Sequence, residues 1–138
     1  MATILIVEDE IAVLVLAESV LQSNGHDTLS ASTLAQAQAI IHSDQKFDLI
    51  FTDISLADQK EGGLQVGQTA IQARVRIPVL YTSGMALTDG MKALFSEPSE
   101  FLPKPYRDDE LVTASSDCSA QVSGTSKFLP ESEICWLT

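Results

Sequence analysis

Short apolar runs alternate with longer segments of helical spacing along this chain. Thr3–Val7 has strand length, and Glu10–Ser23 carries apolar residues at helical intervals up to Asn24-Gly25, a pair suited to a left-handed helix stop. Asp27–Ala31 reads as a shorter, more polar strand, and Thr33–Ser43 as a helix with Ser32 at its N-cap. Phe47–Thr52 is a strongly apolar strand. A Gly-rich loop follows through Asp58–Gly63, then a helix over Leu64–Ala73. Pro78–Thr82 is a strand with proline first, where a missing N–H costs least. Leu87–Ser96 predicts a fourth helix and Glu100–Leu102 a last short strand. This alternation predicts an α/β domain, a parallel sheet covered by helices on both faces.

Beyond Tyr106 the character changes. Asp108-Asp109-Glu110 can open a fifth helix, since acids favour a helix N-terminus, and Leu111, Ala114, Cys118 and Val122 keep rough helical spacing. The segment is rich in Ser, Thr and Asp, so this helix is weak and expected over about 108–122. Residues 1–122 are expected to form one domain, and 123–138 a C-terminal tail of disordered character.

Length and charge narrow the function classes. A chain of 138 residues can bury a real core as one domain. The net charge of −11, with only eight Lys and Arg, argues against direct nucleic-acid binding and suits a cationic or metal-bearing partner. No apolar run reaches membrane-spanning length, and the N-terminus lacks a secretory pattern, so a cytoplasmic protein is expected. Cys118 and Cys135 have no metal-ligand spacing; they read as reduced thiols, with a bridge as the alternative. His26 and His42 read as structural, and no Ser-His-Asp, His/Cys metal or Walker pattern is present.

The candidate chemistry lies at the strand ends. In a doubly wound sheet, the C-terminal ends of the strands face a common crevice. The first strand ends at Glu8-Asp9 and the third at Asp53. Three unpaired carboxylates at close range would raise one another's pKa and destabilise the fold. A hard divalent cation removes that cost, and Mg²⁺ suits one or two carboxylates plus a phosphate. The fourth strand ends in Thr82-Ser83-Gly84, supplying a hydroxyl, and Lys104 follows the fifth between two prolines. Acids, a hydroxyl and an ammonium together suit a phosphoryl group beside a metal.

Four motifs carry a resemblance: Val7-Glu8-Asp9-Glu10, Asp48-Leu49-Ile50-Phe51-Thr52-Asp53, Pro78-Val79-Leu80-Tyr81-Thr82-Ser83-Gly84 and Phe101-Leu102-Pro103-Lys104-Pro105-Tyr106. In this order the sequence resembles the receiver domain of two-component response regulators, over about residues 3–106. The resemblance implies a flavodoxin-like five-stranded parallel sheet of order 2-1-3-4-5. It implies Asp53 as phosphoacceptor from a histidine kinase or histidine phosphotransfer protein, with slow self-hydrolysis afterwards. It implies Mg²⁺ held by Glu8, Asp9, Asp53 and the Ser55 backbone carbonyl. Lys104 would pair with a phosphoryl oxygen, Ser83 would swing its hydroxyl toward it, and Phe101 would be the aromatic switch. The family's Lys-Pro bond is commonly cis, which here concerns Lys104-Pro105. Within the first helix, Val13, Leu16, Ala17, Val20 and Leu21 recur at i, i+3, i+4, i+7 and i+8, and the family resemblance makes them the expected core stripe. That leaves Ile11, Leu14 and Val15 as a second apolar patch on another side. It is expected to dock a partner, either the kinase's phosphotransfer helices or a second copy of the chain.

The sequence also departs from the family. Ser83 replaces a commoner Thr. Phe95-Ser96-Glu97-Pro98-Ser99 differs from the usual approach to the last strand, and Pro98 forbids an ordinary continuation of the fourth helix. No recognisable output domain follows. Three alternatives compete: a degenerate receiver that only binds proteins, a Mg²⁺-dependent phosphatase, and a flavin carrier of the same topology. The phosphatase usually has a second Asp two residues on, where this chain has Ser55, and a flavin phosphate would be repelled by the acids after the first strand.

Overall fold

Among the described residues, five strands and five helices alternate: β1 (Thr3–Val7), α1 (Ile11–Ser23), β2 (Asp27–Ala31), α2 (Leu34–Ile41), β3 (Leu49–Asp53), α3 (Gly62–Ala73), β4 (Val79–Ser83), α4 (Asp89–Ala93), β5 (Ser99–Pro103) and α5 (Asp108–Phe128). This computed structural model describes residues 2–56, 61–73, 77–84, 88–96 and 98–128, with side chains up to Cys118 in the last helix. The sheet is wholly parallel, in the order β2-β1-β3-β4-β5 that the resemblance implied.

Strand alternation divides the core in two. Ile4, Ile6, Leu49, Phe51, Leu80 and Leu102 point to one face, where Leu14, Ala17 and Leu21 of α1 and Leu111 and Cys118 of α5 cover them. Leu5, Val7, Ile50, Val79 and Tyr81 point to the other, against α2, α3 and the half-buried Met91 and Phe95. A sheet buried on both faces explains why β1 and β3 read as continuous apolar runs.

Several expectations need correction. The buried stripe of α1 runs through Leu14, Ala17 and Leu21, with Val13 and Val20 at its edge. Leu14 is only 7% exposed, so it belongs to the core, whereas Leu16 is 59% exposed. The helix is turned by less than one residue step, about 100°, from the expected orientation. The N-cap of α2 is Thr33, whose hydroxyl accepts from Gln36 N at 3.1 Å; Ser32 instead donates its backbone N–H to the Gln36 side chain at 2.8 Å. Gly62 and Gly63 are the first residues of α3 and not loop. The fourth helix is one short stretch, Asp89–Ala93, capped by the Thr88 hydroxyl. The fifth runs to Phe128, beyond the expected end near 122. The rest of the expected tail, Cys135, Asp58–Lys60 and Leu87 lie outside the described residues. Cys118 is buried. Gly25 adopts φ 89°, as the helix-stop reading required. His26 is structural: its Nδ1 accepts from Ala2 N at 3.0 Å.

Candidate functional site

Hydrogen bonds just past the strand ends set the rim. Glu8 N donates to Ala31 O at 3.0 Å, Ile54 N to Thr82 O at 2.9 Å and Lys104 N to Ser83 O at 3.0 Å. Parallel pairing therefore continues one residue beyond β1, β3 and β5, and the side chains there are held in register. The Thr82 hydroxyl adds a bond to Leu102 O at 2.6 Å, tying β4 to β5 directly beneath the rim. The Lys104-Pro105 bond is cis.

This frame brings Glu8, Asp53 and Lys104 together. Lys104 Nζ lies 2.8 Å from Asp53 Oδ2 and 3.0 Å from Glu8 Oε1, although Glu8 and Lys104 are 96 residues apart in the chain. Asp53 Oδ1 accepts from Ser55 N at 3.3 Å, and Glu8 Oε2 from Glu10 N at 3.3 Å. Glu8 and Asp53 are buried and Asp9 is half-buried. One carboxylate oxygen from each of the three lies within 4.8 Å of the others. That is a hard, all-oxygen donor set of the kind Mg²⁺ takes, so the residues present fit such an ion. Ser83 is buried at the end of β4 and Phe101 is half-buried on β5, paired in register with Tyr81. Ser55 is half-buried just past β3, beside Asp53.

A divalent cation is not the sole positive species able to offset the carboxylates at this rim. Lys104 is another, already in the structure, and its contact with Glu8 was not foreseen. Burial drives Glu8 upward, to a pKa of about 7, and the nearby Asp53 charge adds to this against the opposing bond from Lys104. Burial works against the Lys104 ammonium, but its bonds to Asp53 and Glu8 win and raise its pKa above the ordinary lysine value. Burial also raises the Tyr106 phenol.

A pH effect follows from Glu8. Its folded pKa lies above its ordinary value of 4.5, so the folded state holds this proton more tightly than the unfolded chain. The associated stability is present below pH 4.5 and is lost as pH rises through about 7. Chelator-treated protein is expected to be less stable at pH 8 than at pH 5, by up to about 3 kcal/mol from this group. Thermal melts across that range check it, and Glu8→Gln should flatten the curve; equal slopes in both proteins would refute the assignment.

The expected partner patch on α1 is altered. Ile11 and Val15 are exposed as expected, Leu14 is not, and Leu16 takes its place. Leu16 and Val13 line a mostly apolar groove with Glu10, Gly84, Lys104, Pro105 and Tyr106. Three further residues carried no sign of their role in the sequence. Gly63 and Gly67 sit where a Cβ would strike a neighbour, and Tyr81 is fully buried on β4 with its hydroxyl bonded. The only sequence signals were a Gly pair beside a helix and one polar aromatic inside an apolar strand.

Comparison with known proteins bears on the family and the fold. The profile of the response regulator receiver domain matches residues 4–116. The chain is 33% identical over 112 residues to the alginate biosynthesis transcriptional regulatory protein AlgB of Pseudomonas putida, covering 80% of this chain and 24% of that one. It is 27% identical over 110 residues to the cell cycle response regulator CtrA of Brucella ovis, covering 79% of this chain and 46% of that one. A crystal structure of a response regulator receiver protein from Sinorhizobium medicae superposes with a TM-score of 0.78 at 30% identity, covering 86% of this chain and 94% of that one. The chain spans about a quarter to a half of the length of these curated relatives, so their transcriptional roles are not carried over to it. Those roles also leave the expected absence of a nucleic-acid partner without support from the relatives. No helix among the described residues is long and apolar enough to cross a membrane.

Proposed function

The chain belongs to the response regulator receiver family of two-component signalling, and from that premise we propose that Asp53 accepts a phosphoryl group from a phosphohistidine. The observation that carries this reading is Lys104 Nζ bridging Asp53 and Glu8 at the rim, with Asp9 beside them. Asp53 Oδ attacks phosphorus, the phosphorus–nitrogen bond to the donor histidine breaks, and the imidazole leaves with its electron pair. Such a transfer needs in-line positioning and charge neutralisation more than covalent assistance. Lys104 neutralises a phosphoryl oxygen, and the Ser55 N–H that already bonds Asp53 helps hold the carboxylate in place. Glu8, Asp9, Asp53 and the Ser55 carbonyl would hold Mg²⁺, which supplies further charge neutralisation when bound. Ser83 is the hydroxyl that closes on the phosphoryl group, and slow hydrolysis of the acyl phosphate returns the resting carboxylate.

Incubation with acetyl phosphate, followed by intact mass, tests this. A gain of one phosphoryl that requires Mg²⁺ and vanishes in Asp53→Asn is expected. No gain in the wild-type chain would leave a protein-binding module as the better description.

The exposed apolar residues of α1 are the docking surface for the donor protein's helix in this reading. The groove they border shares Lys104 with the phosphoacceptor site, so an occupant there would present its histidine to Asp53. Leu16→Asp is expected to slow transfer from a protein donor at least tenfold while leaving the acetyl phosphate rate unchanged. Loss of self-association in place of that effect would assign the patch to a second copy of the chain. If neither changes, the patch has no docking role.

A further inference from the structure

Tyr81, Phe95 and Phe101 form a stack beneath the end of β4. The Tyr81 and Phe95 rings lie 4.2 Å apart at 21°, and Phe95 and Phe101 6.2 Å apart at 26°. Tyr81 is fully buried, and its hydroxyl accepts from the Ser96 backbone N–H at 2.9 Å. That bond fastens the turn after α4 to the sheet. The fastening is built on both sides: a Cβ at Gly67 of α3 would overlap the Tyr81 hydroxyl oxygen and come within 3.0 Å of Ser96 Oγ. Only glycine leaves room there for the phenol to reach Ser96.

Tyr81 and Ser83 point to the same face of β4, two residues apart, and Tyr81 pairs with Phe101 on β5. Resting on the phosphoacceptor reading above, we propose that Tyr81 is a positioning residue that latches the Leu94–Ser96 turn, and that phosphorylation of Asp53 releases this latch through Phe95. When Ser83 is drawn toward the phosphoryl group, Phe101 turns toward the space it leaves. Phe101 contacts the Phe95 ring in the stack and is paired in register with Tyr81. Tyr81 is held all round, whereas Phe95 is half-buried and has solvent on one side. A close-packed interior has no spare volume, so Phe95 is the ring that yields. Phe95 and Ser96 are consecutive, and expelling the ring pulls the Ser96 N–H away from the Tyr81 hydroxyl. The output of this chain is then an opened turn that adds Phe95 to the already exposed Leu94 as one apolar surface, not one rotated side chain.

Residue-resolved hydrogen exchange of the full chain tests this, with and without excess acetyl phosphate and Mg²⁺, with the phosphorylated fraction read by intact mass on the same samples. In the wild-type chain the Ser96 amide is expected to be protected at rest and to exchange at least tenfold faster once phosphorylated. In Tyr81→Phe it should exchange rapidly in both states while Asp53 still gains its phosphoryl group. In Phe95→Leu the latch stays but the ring that pulls it is gone, so Ser96 should remain protected in both states. Phosphorylation of the wild-type chain without any change at Ser96 overturns the latch and leaves the phosphoacceptor reading intact. Failure of the wild-type chain to accept a phosphoryl group overturns both.

Discussion

Replacing Lys104 with methionine should slow phosphorylation by acetyl phosphate about a hundredfold or more and, at pH 8, tighten Mg²⁺ binding. The two effects have opposite signs because the ammonium has two roles. In the resting structure it sits 2.8 Å from Asp53 and 3.0 Å from Glu8, occupying oxygens that a cation would use. Methionine keeps the length and removes the charge, so the ion binds without a competitor; about a tenfold gain corresponds to 1.4 kcal/mol. During transfer the same ammonium faces charge developing on the phosphoryl oxygens, and loss of one such donor typically costs about 2.7–4 kcal/mol. The pH matters because Glu8 already titrates near 7 with Lys104 in place. Without it the carboxyl holds its proton more tightly still, and at pH 6 that proton masks the gain in metal affinity. Calorimetric titration at both pH values and a mass-based time course provide the measurements. A variant phosphorylated within threefold of wild type would remove Lys104 from the transfer step.

Much of this site was legible because it depends on strand ends. A strand buried on both faces has to be apolar, so Ile4–Val7 and Leu49–Thr52 marked their own limits, and the acids following them were placed by topology alone. Side-chain contacts at the rim were less legible. The Lys104–Glu8 bond joins residues 96 positions apart and corresponds to no periodic pattern. The rotation of α1 was hidden for another reason: Ile11, Val13, Leu14, Val15 and Leu16 are apolar almost all round the helix, and only the sheet decides which of them is covered. Tyr81 looked like an ordinary strand aromatic, because the partner of its hydroxyl lies on a turn that no motif marks as its neighbour. The Ser- and Thr-rich α5 outran its propensity to reach Phe128, anchored by Leu111 and Cys118 in the core and by Arg107 N donating to Glu110 at 2.7 Å.

Gly62-Gly63 misled in the opposite direction. Glycine disfavours helix by about 1 kcal/mol, so the pair read as loop, yet α3 begins there. The cause is close approach. A Cβ on Gly63 would overlap the Asp53 carbonyl oxygen and stand 2.6 Å from Ile54 Cα and 2.8 Å from the Asp53 carbonyl carbon. These are backbone atoms of the segment that presents the phosphoacceptor, and Gly63 N donates to Ile54 O at 2.8 Å. No side chain can rotate away, so either α3 lifts off or the end of β3 moves. Gly63→Ala is therefore expected to cost about 3 kcal/mol or more despite the gain in helix propensity, lowering the melting temperature by roughly 10 °C. Displacing Asp53 should also weaken Mg²⁺ binding and slow phosphorylation in whatever fraction stays folded. Gly67→Ala is the control on the same helix. Its obstacle is the tip of the Tyr81 side chain, so its cost should be smaller, about 1–2 kcal/mol, and reduced further in a Tyr81→Phe background. Thermal and urea unfolding of the wild-type chain, the three single variants and the Gly67→Ala/Tyr81→Phe double variant measure the difference. If Gly63→Ala proved no worse than Gly67→Ala, the contact between α3 and the Asp53 backbone would not be what holds the phosphoacceptor in place.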